Sequence, residues 1–167
     1  MATKPLNNIK LKETEDQIKN KIPITAQIEF KLTSWDGSAL KLEAPYATNR
    51  NHHDTFFGGS LAMAAIVSGY AMTFMALNEH LDKDWGEHFT LVIRDFNCRY
   101  LKPIGEDLVT VSKPEEISSL LDFPTTLQKK NRARIKVITE VSHQKVCYLK
   151  ATAVYVALER KLAQQTE

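Results

Sequence analysis

Residues 60–80 read SLAMAAIVSGYAMTFMALNEH, and the run from Leu61 to Leu77 contains no charged side chain. A run of that length sits at the lower limit for a membrane-spanning helix, which needs roughly 17 residues or more. Its content argues for a different solvent. Ser68, Gly69 and Thr73 interrupt the apolar residues, and no cluster of Lys or Arg flanks either end; such flanks are what anchor and orient a span. A helix apolar on all sides is otherwise found inside a protein. The segment therefore predicts one long buried helix, from about Ser60 to His80, with Thr55 or Ser60 as candidate caps, and no membrane span.

Such a helix needs cover on most sides, and the flanking sequence reads as strands. Upstream, Ala26 to Thr33 alternates, with Ile28, Phe30 and Leu32 on one side and Gln27, Glu29 and Lys31 on the other. Trp35-Asp36-Gly37-Ser38 is a hairpin turn, because Asp-Gly between apolar runs supplies the required backbone freedom. Ala39 to Ala44 returns and Pro45 ends it. Downstream come His88 to Leu101, Asp107 to Ser112, Arg132 to Ser142 and Lys145 to Leu158. Pro114 to Lys130 reads as an irregular or partly helical insert interrupted by Pro124. Strands joined by short turns pair antiparallel, and a strongly curved sheet can wrap one helix. The fold class is α+β: a curved antiparallel sheet wrapped around one long buried central helix. It occupies 22–158, after a polar N-terminal extension (1–21) carrying a weak helix over Asn7 to Lys21, and before a polar tail (159–167).

The gross numbers fit a single domain. The chain has 167 residues, 43% hydrophobic and 25% charged, with a net charge of +2. That balance excludes a disordered or collagen-like chain and gives no reason to expect a nucleic-acid partner. The one basic cluster is Lys129, Lys130, Arg132, Arg134 and Lys136, which reads as a solvated strand edge or as a lip for a phosphate-bearing small molecule. Cys98 and Cys147 lie in predicted strands with no neighbour at metal-ligand spacing, so no metal is expected. The opening residues, Met1 to Lys21, show no charged-then-apolar leader, which with the free cysteines implies the cytoplasm.

The loop before the helix, Pro45 to Ser60, reads PYATNRNHHDTFFGGS. Asn49, Asn51, Thr55, Phe57, Gly58, Gly59 and Ser60 give it a pattern, Asn-x-Asn followed by Thr-x-Phe-Gly-Gly-Ser. This block resembles the thioesterase-like domain found at the C-terminus of YiiD-type proteins, a hotdog fold, and is more distantly similar to the phenylacetate-type and hydroxybenzoyl-CoA thioesterases. Arg99-Tyr100-Leu101-Lys102-Pro103 and the closing Ala153 to Leu158 fit the same family, so the likeness runs from about Ile22 to Leu158. It implies an acyl-CoA or acyl-carrier-protein thioesterase working as a homodimer or dimer of dimers. No cofactor is implied, coenzyme A being part of the substrate. Phe57 stands where the more distant enzymes carry His. Ile66 stands where the phenylacetate-type enzymes carry a carboxylate on the helix, and Asp54 where they carry Gly, which implies a local difference in the loop backbone.

The chemistry suits these residue types. First-turn N–H groups of a helix lack intrahelical partners and lie at its positive end. The N–H groups of Gly58, Gly59 and Ser60 are therefore candidates to polarise a thioester carbonyl and hold its oxyanion; alternatively the glycines only let the loop turn into the helix. Asn49 and Thr55 are expected to shape the loop and substrate side of the site, Asn51 to hold the loop or orient a water, and Phe57 to wall the pocket. For the general base the candidates are Asp54, His53, Asp95 from a strand facing a partner subunit, and Ser68 as a water-orienting hydroxyl, each with a structural alternative. Because Ile66 removes the usual acid, a hotdog that binds an acyl thioester without cleaving it is the competing reading. A hydratase or dehydratase, which would need a His-carboxylate pair, is disfavoured by Phe57.

Overall fold

The computed structural model describes residues 4–163. Helix α1 (Lys4–Lys21) is followed by a 3-10 turn (Pro23–Ile28), strands β1 (Lys31–Trp35) and β2 (Leu40–Ala44), and the long helix α2 (Gly58–His80). A short α3 (Trp85–His88) leads to β3 (Phe89–Tyr100), β4 (Leu108–Pro114), α4 (Ile117–Lys130), β5 (Arg132–His143), β6 (Val146–Glu159) and a final turn of helix, α5 (Arg160–Ala163). The strands form one six-stranded sheet in the order β1-β2-β4-β5-β6-β3. Every neighbouring pair is antiparallel. The sheet curves around α2, thirteen of whose residues are buried, from Leu61 to Leu77. Each strand turns its apolar alternate residues inward, so Leu40, Leu42, Leu108, Ile135, Val137, Val141, Leu149 and Tyr155 close over the helix. The apolar run that resembled a span by length is thus a core helix.

Three elements differ from the sequence reading. The strand expected over Ala26 to Thr33 begins only at Lys31, because Pro23 presets a helical φ and the Thr25 hydroxyl closes the turn by donating to the Ile22 carbonyl at 2.7 Å. Glu29, in the left-handed region at φ 51°, then redirects the chain. The alternation was nonetheless a true record of burial, since Ile28, Phe30 and Leu32 all lie inside. The insert is a continuous helix through Pro124. A mid-helix proline forfeits one hydrogen bond and is usually disruptive, but here Leu120, Phe123, Pro124 and Leu127 make one buried stripe. Neither Thr55 nor Ser60 caps α2: its N-cap is Phe57, without a side-chain cap bond.

The two sheet edges are treated differently. At β1, α1 lays Leu11, Thr14, Glu15 and Ile18 against the fold. The Glu15 carboxylate accepts the Leu32 N–H at 3.0 Å and an ion pair from Lys19 at 2.8 Å, closing part of the edge. At β3 no strand lies beyond among the described residues, and four successive residues, Val92, Ile93, Arg94 and Asp95, are exposed.

Candidate active site

The loop carrying the Asn-x-Asn pattern is held by its own polar side chains. Asn49 is buried, and its Nδ2 donates to the carbonyls of Ile28 (3.0 Å) and Pro45 (2.8 Å). Asn51 makes a local turn: its Oδ1 accepts the backbone N–H groups of His53 (2.9 Å) and Thr55 (3.3 Å), while its Nδ2 donates to the Thr55 hydroxyl at 3.0 Å. Asp54 sits at φ 56°, the left-handed conformation that glycine takes without strain and that Asp tolerates better than most residues. The Phe56 N–H donates to the Ile104 carbonyl and the Phe57 N–H to the Asn49 carbonyl, both at 2.7 Å. Seven hydrogen bonds thus fix where the chain enters α2.

At that entry the Leu61 N–H is the first to bond backward, to the Phe57 carbonyl at 3.0 Å. Among the described residues nothing accepts from the N–H groups of Gly58, Gly59 and Ser60. Open donors at the positive end of a 23-residue helix are what an oxyanion would meet. The ring of Phe57, 56% exposed, lies over Gly59. On the other side Tyr100, half exposed, donates its hydroxyl to the Gly58 carbonyl at 2.9 Å. Its partial burial, and then its hydrogen bond with Cys98, raise its pKa, so it remains a neutral donor at physiological pH. Sequence reading placed Tyr100 in a family motif but gave it no role; only the return of β3 to the helix end brings it to Gly58.

From there an apolar strip runs inward. Tyr100, Cys98, Phe96 and Ile93 share the face of β3 that pairs with Leu149, Ala151, Ala153 and Tyr155, all turned toward α2. On α2 itself Met63, Ile66 and Tyr70, spaced by three and four residues, and Ala62 beside them remain only half buried. Ile66 lies on this stripe, and its carbonyl accepts the Tyr155 hydroxyl at 2.7 Å.

The candidate bases are scattered. Asp54 is in the loop, with its side chain 80% exposed and 3.5 Å from Arg50; the rings of His53 and His52 touch at a tilt beside it in solvent. Asp95 is on the outer face of β3, 3.5 Å from Arg94. Five residues separate it from Tyr100, about 17 Å of strand, so it reaches a helix end only in another copy. Ser68 is fully buried ten residues along α2 from Gly58, about 15 Å. Its Oγ accepts hydrogen bonds from Thr110 (2.7 Å) and Ser112 (2.8 Å), and Ser112 shares a further one with Thr139 at 2.6 Å. The loop and helix-end residues Asn49, Asn51, Thr55, Phe57, Gly58, Gly59 and Ser60 are brought together. Asp95 and Ser68 are not.

Solved structures share this fold. A crystal structure of a "putative thioesterase" from Shewanella oneidensis has a TM-score of 0.73 at 20% identity, over 89% of this chain and 96% of that one. A Chlorobaculum tepidum protein of unknown function gives 0.77 at 22%, over 92% and 97%. A Pseudomonas aeruginosa protein described as a "probable thioesterase" gives 0.72 at 15%, over 89% and 95%. At such identities the likeness concerns the fold, which is the hotdog. The family described as "Putative thioesterase (yiiD_Cterm)" matches residues 11–159. With that match covering most of the chain, from α1 to the end of β6, the protein belongs to the YiiD C-terminal thioesterase family.

Proposed function

We propose that the protein hydrolyses acyl thioesters of coenzyme A or of an acyl carrier protein at the N-terminal end of α2. The carrying observation is the uncapped helix start, where the N–H groups of Gly58, Gly59 and Ser60 stand open between Phe57 and Tyr100. A thioester carbonyl placed there gains hydrogen bonds as its oxygen becomes negative in the tetrahedral intermediate. Water adds to the carbonyl carbon, and collapse expels the thiolate, which is protonated to the free thiol. The strip formed by Ile93, Phe96, Met63 and Ile66 offers apolar cover for the acyl chain. The exposed β3 edge supports pairing with a second copy, which would complete that cover and carry Asp95 toward a neighbouring helix end; Asp54 is the alternative base within one chain.

One observation favours a second reading. Ile66 offers no carboxylate where a base would be expected, and its carbonyl is already occupied by Tyr155. A protein that binds acyl thioesters without cleaving them would have this site. Thiol release from a panel of acyl-CoA substrates separates the two. Hydrolysis predicts steady release, and a fall on the order of a hundredfold in Gly59→Ala, whose new methyl would intrude among the oxyanion donors. The Phe57 ring that this methyl would meet is exposed and can turn aside, so the variant should still fold. Saturable acyl-CoA binding with no thiol released would establish the binding reading instead.

A further inference from the structure

A cleft of about 360 Å³ lies between α4 and the strands β5, β6 and β3. Its volume is in the range of small-molecule sites. Arg132 and Arg134 project into it from alternate positions of β5, hence from the same face and about 7 Å apart along the strand. Neither guanidinium has an ion pair or hydrogen bond among the described residues. Arg94 reaches the same cleft from β3, leaning on Asp95 at 3.5 Å. With Arg94 drawn to Asp95, the two unpaired guanidiniums of Arg132 and Arg134 share the cleft with the carboxylates of Glu116 and Asp122.

The rest of the lining is also specific. Phe123, Ala133 and Val156, each at most 5% exposed, make an apolar floor. The hydroxyls of Ser118 and Thr126 stand on the α4 wall without hydrogen bonds among the described residues. Unpaired arginines present flat forks of donors that match phosphoryl oxygens two at a time, and two forks about 7 Å apart suit adjacent or paired phosphoryl groups. Free hydroxyls beside an apolar floor suit a sugar and a base better than a bare inorganic ion. A basic cluster that only solubilised the surface would need neither the cleft nor the floor.

We propose that this cleft binds the phosphorylated end of a nucleotide, with Arg132 and Arg134 on its phosphoryl groups. Two sources share that chemistry: the nucleotide portion of a coenzyme A thioester, and a separate nucleotide that regulates the protein. Binding here does not require hydrolysis at the helix end.

Calorimetric titration with adenosine 3′,5′-bisphosphate tests it directly. The parent should bind saturably, Arg132→Gln/Arg134→Gln should bind at least about tenfold more weakly, and Lys41→Gln, on another strand, should match the parent. Both arginines are exposed, so the double variant should keep the parental melting temperature. Kinetics then assign the source. A KM for acyl-CoA raised about tenfold, with KM for the matching acyl-pantetheine unmoved, identifies the substrate's own nucleotide. Lost bisphosphate binding with both KM values unmoved identifies a regulator. Equal bisphosphate binding by parent and double variant, or none by the parent at millimolar concentration, overturns the proposal. A parent that releases no thiol yet binds the bisphosphate through these arginines would sink the thioesterase reading and leave the cleft standing.

Discussion

Tyr100 and Gly58 show how much a single hydrogen bond can position. The Tyr100 hydroxyl holds the carbonyl of the first residue of α2, in the same peptide group as the Gly59 N–H that an oxyanion would use. Tyr100→Phe removes about 1 kcal/mol of interaction. It should lower kcat for thioester hydrolysis about three- to tenfold while moving the melting temperature by only about 2–4 °C. Unchanged kcat would mean that the helix end holds its place without it. Gly69 carries a different constraint. A methyl there would lie 2.6 Å from the Tyr155 hydroxyl, and Tyr155 is fully buried with its bond to the Ile66 carbonyl. Gly69→Ala should therefore lower unfolding free energy by roughly 1–3 kcal/mol from overpacking, read from the urea midpoint; a parental midpoint would show that Tyr155 can retreat. Apart from the Asn49 bond to Ile28, 21 residues away, the Asn49 and Asn51 loop bonds were legible in sequence because such side chains act within a few residues of themselves. The need for glycine at position 69 was not, since its cause lies 86 residues further along the chain.

At the scale of elements, what could be read depended on whether one period carried the burial. The alternating strands and the all-apolar α2 announced themselves. Helix α1 was legible as a weak helix over Asn7 to Lys21 but not as part of the core: its buried stripe of Leu11, Thr14, Glu15 and Ile18 has helical spacing, but two of the four are polar, so no amphipathic face stands out. Pro124 hid α4 in the same way, being a breaker by type and a core residue by position. Placing Glu15 on the inner side of α1 has a measurable result. Its carboxylate is the acceptor for an N–H on the outer edge of β1, so Glu15→Ala strands that donor at a part of the fold where water enters poorly. We expect a loss of about 1–3 kcal/mol in chemical denaturation, with faster hydrogen exchange at Leu32. If the Leu32 amide exchanges at the parental rate, some other group closes that edge.

For the whole molecule the open edge is decisive. Strand β3 has 12 residues and one pairing partner, β6, and it leaves Val92, Ile93 and Tyr100 between 39% and 50% exposed. An unpaired edge of that length would recruit other strands at random unless a specific mate occupies it. We expect at least a dimer by light scattering at micromolar concentration, shifted toward monomer by Ile93→Lys; a monomer mass for the parent would defeat this and leave Asp95 with no helix end to serve. Helix α2 raises an opposite problem inside each chain. Being apolar nearly all round, it could pack against a curved apolar sheet in several rotations of similar energy. The buried hydroxyls of Ser68, Thr110, Ser112 and Thr139 remove that degeneracy. They meet across α2, β4 and β5, and any other rotation of the helix would strand them without partners, at about 1–3 kcal/mol each. Since a helix is stiff along its length, a rotational phase chosen at Ser68 is transmitted to the three open amides some 15 Å away. The polar knot in the core acts as an angular index mark: it sets the direction in which the helix end aims its donors.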